Sequence, residues 1–127
     1  MAVKDHKLLV VTAQVGKTFD SEEHLEDWLT RIIQGIGMTV APITHNPRAW
    51  YCNDNGNTGY TGVAILTTSH CAIHMWDDVY PMKLEFDLYS CSDFKPADII
   101  PFLEELDWLS MDYKFLDRSN GLKILEG

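Results

Sequence analysis

Apolar and polar positions change period several times along the chain, and each change marks an element. Leu8 to Thr12 is a short apolar run, the pattern of a buried strand. The period then lengthens. Leu25, Trp28, Leu29, Ile32, Ile33 and Ile36 recur at helical spacing behind Asp20, which predicts a helix capped by Asp20, with Glu23 three residues on, and ended by Gly35 and Gly37. Met38 to Ile43 returns to strand character. The turn-forming residues Pro47, Asn53, Asp54, Asn55, Gly56 and Asn57 predict a loop over Asn46 to Gly59. Val63 to Thr68 and Cys71 to Trp76 are the next strands. After Pro81, Leu84, Phe86 and Leu88 alternate with Glu85, Asp87 and Tyr89, as in a half-buried antiparallel strand. Asp98 is the expected cap of a second helix, with Pro101 in its first turn, carrying Ile99, Phe102, Leu103 and Leu106 inward and stopping near Trp108. Met111 to Leu116 is the last expected strand, and Ser119 to Gly127 a turn and tail. The order predicts an α+β fold: a two-layer α/β sandwich of a mainly antiparallel sheet with two helices on one face.

Composition narrows the function more than the fold. A chain of 127 residues with 46% hydrophobic content suits one domain over 1–127. Ten Lys and Arg stand against 19 Asp and Glu, a net charge of -9, which lacks the basic footprint of a nucleic-acid or anionic-membrane binder. Met1 to Lys7 is polar, and no run of about 20 apolar residues follows, so the expectation is a cytoplasmic protein without signal peptide or membrane span. Cys52, Cys71 and Cys91 form no CxxC pair and are expected to be free thiols.

Candidate chemistry is concentrated between Gly59 and Trp76. Two glycines and an apolar strand lead there into Thr67, Thr68, Ser69, His70, Cys71 and His74. A serine between strands, close to histidine and thiol, has the ingredients of an activated nucleophile. The Gly-x-Ser-x-Gly elbow of α/β hydrolases is absent. His70 and His74 share strand parity while Cys71 points the other way, so they do not all converge on one face. No second ligand pair accompanies them, and no metal is expected. The acidic cluster Glu22, Glu23, Glu26 and Asp27 has the pattern of a solvated helix face.

The segments Gly59-Tyr60-Thr61-Gly62, Ser69-His70-Cys71-Ala72-Ile73-His74-Met75-Trp76-Asp77-Asp78 and Asp87-Leu88-Tyr89-Ser90-Cys91 resemble, in order and nearly all spacings, the signature of prokaryotic S-adenosylmethionine decarboxylases. The resemblance implies a self-processing, pyruvoyl-dependent proenzyme. Its Ser69 hydroxyl would attack the Thr68 carbonyl, and loss of the Ser69 α-proton with elimination would split the chain into 1–68 (β chain) and 69–127 (α chain). Ser69 would be left as a pyruvoyl group, able to form a Schiff base with the substrate amine and act as an electron sink. By the same resemblance His74 is the processing base, Thr61 the assisting hydroxyl and Cys91 the proton donor. Asp78 is then the aligned ribose contact, with Trp50, Tyr51 or Trp76 available to stack on adenine. The family further implies S-adenosylmethionine as substrate, a role in spermidine synthesis, a diamine as activator, and a homodimer with sites at or near the interface.

The chain departs from the family pattern in four places. Thr68 stands where the family usually has Glu, Thr61 where it has Ser, Asp77-Asp78 where it has Pro-Glu, and two additional residues precede the Asp87 strand. These differences touch the substrate side more than the processing side. The alternatives they leave are a related pyruvoyl-dependent arginine or ornithine decarboxylase, and a non-cleaving regulatory or ligand-binding homologue.

Overall fold

A computed structural model describes residues 5–119 and 121–127. Its elements are β1 (Lys7–Val15), α1 (Glu22–Gly35), β2 (Arg48–Asp54), β3 (Asn57–Leu66), β4 (Ser69–Trp76), β5 (Met82–Ser90), α2 (Pro96–Glu104), β6 (Trp108–Asp117) and β7 (Lys123–Glu126). The seven strands form one sheet in the order β2-β3-β4-β5-β1-β6-β7, and every pairing is antiparallel. This is the expected α+β sandwich.

The alternation seen in the sequence sets its two faces. Leu9, Val11, Ala13 and Val15 of β1, Cys71, Ile73 and Met75 of β4, and Leu84, Phe86 and Leu88 of β5 are buried against the helical layer. From that layer α1 contributes Leu25, Trp28, Leu29, Ile32 and Ile33, each fully buried. Trp28 Nε1 donates to the Phe102 carbonyl at 3.1 Å, and Arg31 forms a bidentate pair with Glu105 at 2.9 and 3.0 Å, so the helices are tied to each other above the sheet. The opposite face carries Thr61, His70, His74, Trp76 and Glu85, and no layer among the described residues covers it.

Several local expectations are corrected. Ser21, not Asp20, caps α1, its hydroxyl accepting from the His24 N–H at 3.0 Å. The second helix begins earlier than expected, with Lys95 as cap and Pro96 in its first turn. Asp98 therefore sits inside the helix, accepting from the Lys95 N–H at 2.9 Å, and Pro101 lies beyond the first turn. Met38 to Ile43 makes only an isolated bridge, Val40 to Leu66. Asn46 to Gly59 is not a loop but mostly the hairpin β2–β3, turning at Asn55-Gly56, where Gly56 takes φ 79°. Asn-Gly is a strong hairpin signal that the polar residues around it masked. The expected tail holds β7, paired with β6. Two carboxylates of the acidic helix cluster also have backbone partners: Glu26 accepts from the Ala49 N–H and Glu22 from the Tyr51 N–H, each at 2.9 Å, which seals the outer edge of β2. Among the described residues no helix is long and apolar enough to cross a membrane.

Gly59 adopts φ 154°, and a Cβ there would run into the Met75 carbonyl of the neighbouring strand. Gly56, at φ 79°, has nothing within 4 Å of such a Cβ. Gly59→Ala is expected to lower unfolding free energy by more than about 2 kcal/mol and Gly56→Ala by only about 1 kcal/mol, measured by denaturant midpoints. Equal losses would contradict the close β3–β4 approach.

Candidate active site

β3 and β4 are joined by Thr67 and Thr68 alone, so Leu66 pairs directly with Ser69. Two-residue turns between twisted strands favour positive φ, which glycine supplies without cost. Here Thr68 supplies it, at φ 49°. For a β-branched residue this conformation costs about 1–2 kcal/mol, stored at the peptide that leads into Ser69.

The same turn places Thr68 and Ser69 against the end of β5. The buried Ser69 hydroxyl accepts from the Cys91 N–H at 3.0 Å, and the Thr68 hydroxyl lies 3.3 Å from Cys91 Sγ. The hydroxyls of Ser69 and Thr68 hold the Cys91 thiol below its ordinary range, against the opposing effect of burial. Burial pushes the Cys71 thiol far up, and partial burial beside the Asp54 carboxylate raises that of Cys52. Of the three free thiols, Cys91 alone is held below its ordinary range.

A second group lies on the uncovered face. Thr61 and His74 are paired across β3 and β4, and Thr61 Oγ1 is 3.1 Å from His74 Nδ1. They border a cleft of about 230 Å³ whose walls include Trp50, Cys52, Asn57 and Trp76. Trp76 is held by a 3.0 Å bond from its indole N–H to Asn57 Oδ1 and has Lys83 Nζ 5.6 Å from its ring centre. Trp50 is 63% exposed beside it. Tyr51, on the other parity of β2, instead donates from its hydroxyl to Asp77 at 3.1 Å and packs edge-on to Tyr60. Asp78 follows β4 in an exposed bend and is not part of the cleft wall.

The structure therefore gathers the sequence candidates into two groups: Thr68, Ser69 and Cys91 at the turn, and Thr61, His74, Trp50 and Trp76 on the open face. It does not bring the groups together within one chain. Ser69 and His74 have opposite parity on β4 and are five positions apart, roughly 16 Å at the usual strand rise. Sequence reasoning missed Asn57, which orients Trp76, because an asparagine among turn-forming residues carries no signal of a partner 19 positions away. It also missed the Thr67 carbonyl, a backbone group with no side-chain signal, which lies 3.5 Å from Cys91 Sγ. Among the described residues no three His, Cys, Asp or Glu side chains converge as a metal site.

A serine preceded by a strained peptide and flanked by a tuned thiol, on an antiparallel sheet with helices on one side, has the parts of a self-processing enzyme. The family model for S-adenosylmethionine decarboxylase matches residues 8–119, and the chain belongs to that family. It is similar to the S-adenosylmethionine decarboxylase proenzyme of Methanococcus maripaludis strain S2, with 28% identity over 104 residues, covering 79% of this chain and 75% of the relative. The proenzyme of the same name from strain C5 is 26% identical over 104 residues, with the same coverage.

The thiol environments predict an order of reactivity. In the folded chain at neutral pH, iodoacetamide should modify Cys91 first, Cys52 more slowly and Cys71 not at all, as followed by peptide mass spectrometry. Faster labelling of Cys52 than of Cys91 would contradict the arrangement around Cys91.

Proposed function

We propose that the chain is a proenzyme that cleaves itself between Thr68 and Ser69 and then acts in the cytoplasm as a pyruvoyl-dependent S-adenosylmethionine decarboxylase, its product feeding spermidine synthesis. The observation that carries this reading is the strained Thr68–Ser69 peptide beside Cys91, in a chain of this family. The Ser69 oxygen attacks the Thr68 carbonyl carbon, forming a C–O bond as the C–N bond breaks. Removal of the Ser69 α-proton expels the Thr68 carboxylate and parts the chain. Water then replaces nitrogen at the Ser69 α-carbon, ammonia leaves, and a pyruvoyl group remains. Loss of the peptide bond relieves the strain at Thr68, which favours the forward direction.

The residues present fit that group: Ser69 is held by the Cys91 N–H, and the Cys91 thiol stands at its side. A pyruvoyl group supplies a carbonyl that engages the substrate amine and takes up the electrons left when CO₂ departs. Cys91 delivers the proton that replaces the carboxyl group and recovers one from solvent. Trp50 and Trp76 of the cleft offer rings for adenine. Asp78, in the exposed bend that follows β4, is the aligned candidate for the ribose hydroxyls, and the Tyr51 hydroxyl holds its neighbour Asp77.

Thr61 and His74 serve processing in this reading, but in a second copy of the chain. Their separation from Ser69 within one chain argues for a homodimer in which open faces meet, and two-fold symmetry would complete both sites. Trp50, Val63 and Ile65, exposed at 63%, 45% and 53% on that face, would be covered by the partner. A diamine activator would find carboxylates at Glu85, Asp87 and Asp112, which border another cavity on that face.

The denatured mass of purified protein should show fragments 1–68 and 69–127, and Ser69→Ala should leave one intact chain. A wild-type chain that stays whole on incubation would overturn the reading in favour of a non-cleaving homologue. Processed protein should release CO₂ from S-adenosylmethionine and not from arginine or ornithine; the opposite pattern would reassign the substrate. Cys91→Ala should still cleave while losing decarboxylation by about 10²-fold or more. Co-expression of Ser69→Ala with His74→Ala chains should yield cleaved His74→Ala chains, which neither variant gives alone. No cleavage in the mixture would remove the shared site.

A further inference from the structure

We propose that Thr68 is a positioning residue for Cys91, its hydroxyl turning from the Thr67 carbonyl to the Cys91 sulfur when the thiol gives up its proton. This rests on the reading of Cys91 as the proton donor, and it assigns the Thr68 side chain a task separate from the cleavage of its peptide bond.

Three distances define the arrangement. Thr68 Oγ1 lies 2.8 Å from the Thr67 carbonyl oxygen and 3.3 Å from Cys91 Sγ, and that sulfur lies 3.5 Å from the same carbonyl. One carbonyl thus faces two donors, and the Thr68 hydroxyl has a single proton for two acceptors. While Cys91 is a thiol, the carbonyl is satisfied by either donor. Once the S–H proton has gone, the sulfur can only accept, and the hydroxyl is placed to donate to it without any movement of heavy atoms. The left-handed backbone at Thr68 makes this reach available, and the β-branch limits the side-chain rotamers that compete with it.

The effects on Cys91 come from the hydroxyls of Ser69 and Thr68, its own backbone N–H and burial, and no ionised side chain among the described residues is one of them. Hydrogen bonds to the charged form are therefore the means by which the thiolate is held. Ser69 is consumed when the chain is processed, which leaves the Thr68 hydroxyl as the side-chain donor of the pair.

The test uses the full chain kept whole by Ser69→Ala, with the rate of iodoacetamide modification at Cys91 followed against pH by peptide mass spectrometry. Adding Thr68→Val keeps the β-branch and removes the hydroxyl. The midpoint of Cys91 modification should then rise by about one pH unit relative to Ser69→Ala alone, while Thr68→Ser should restore it. Cys71, fully buried, monitors folding, since it stays unmodified in a native chain. If Thr68→Val exposes Cys71, Thr68→Ala supplies the same deletion. An unmoved midpoint in a folded hydroxyl-less variant overturns the proposal, as does a rise that Thr68→Ser shares. The decarboxylase reading fails separately, through an uncleaved wild-type chain or absence of CO₂ release, neither of which depends on the Cys91 midpoint.

Discussion

The two-residue connection between β3 and β4 is the constraint on which the site depends. Pairing Leu66 with Ser69 leaves only Thr67 and Thr68 to reverse the chain, and Thr68 takes positive φ in that reversal. The same register puts Thr61 opposite His74. One pairing therefore creates both a strained peptide next to a serine and a hydroxyl–imidazole pair farther along the strands. A shift by one residue would exchange the faces of every side chain on β4 and lose both.

The rest of the fold holds that register in place. The apolar alternation of β1, β4 and β5 buries one face of the sheet under Trp28, Leu29, Ile32 and Ile33, and a slipped strand would carry Ile73 or Phe86 into water at about 1.5–3 kcal/mol each. At the outer edge, Glu22 and Glu26 of α1 bind backbone N–H groups of β2, fastening the helix to the strand that carries Trp50. That edge is closed by charge, whereas the open face is left with tryptophan, aliphatic and carboxylate side chains. A layer that is covered on one side and polar on the other follows from the polar period of the same strands.

Around Cys91 the chemistry is set by hydroxyls rather than by ionised groups. A neutral donor lowers a thiol's pKa without creating a permanent ion pair. The β-branched Thr68 in a left-handed turn, unfavourable for the backbone, sets its hydroxyl 3.3 Å from the Cys91 sulfur.

Much of this was legible in the chain itself. The helical spacing from Leu25 to Ile33, the alternation from Leu84 to Leu88 and the segment around Ser69 predicted the sandwich, its buried face and the family, because burial and covalent order leave direct marks on sequence. The hairpin at Asn55-Gly56 was hidden because the edge strand β2 lacks an apolar alternation, its Trp50 and Tyr51 lying on opposite faces, and draws backbone partners from Glu22 and Glu26, distant in sequence. The capping role of Ser21 over Asp20 depended on backbone angles that either residue could have taken. Which candidate residues meet was decided only by the tertiary structure. Strand parity and register set Ser69 beside Thr68 and Cys91 and carry His74 to the other face with Thr61, since contacts between residues distant in sequence are chosen by how strands pair and not by the residues' own identities.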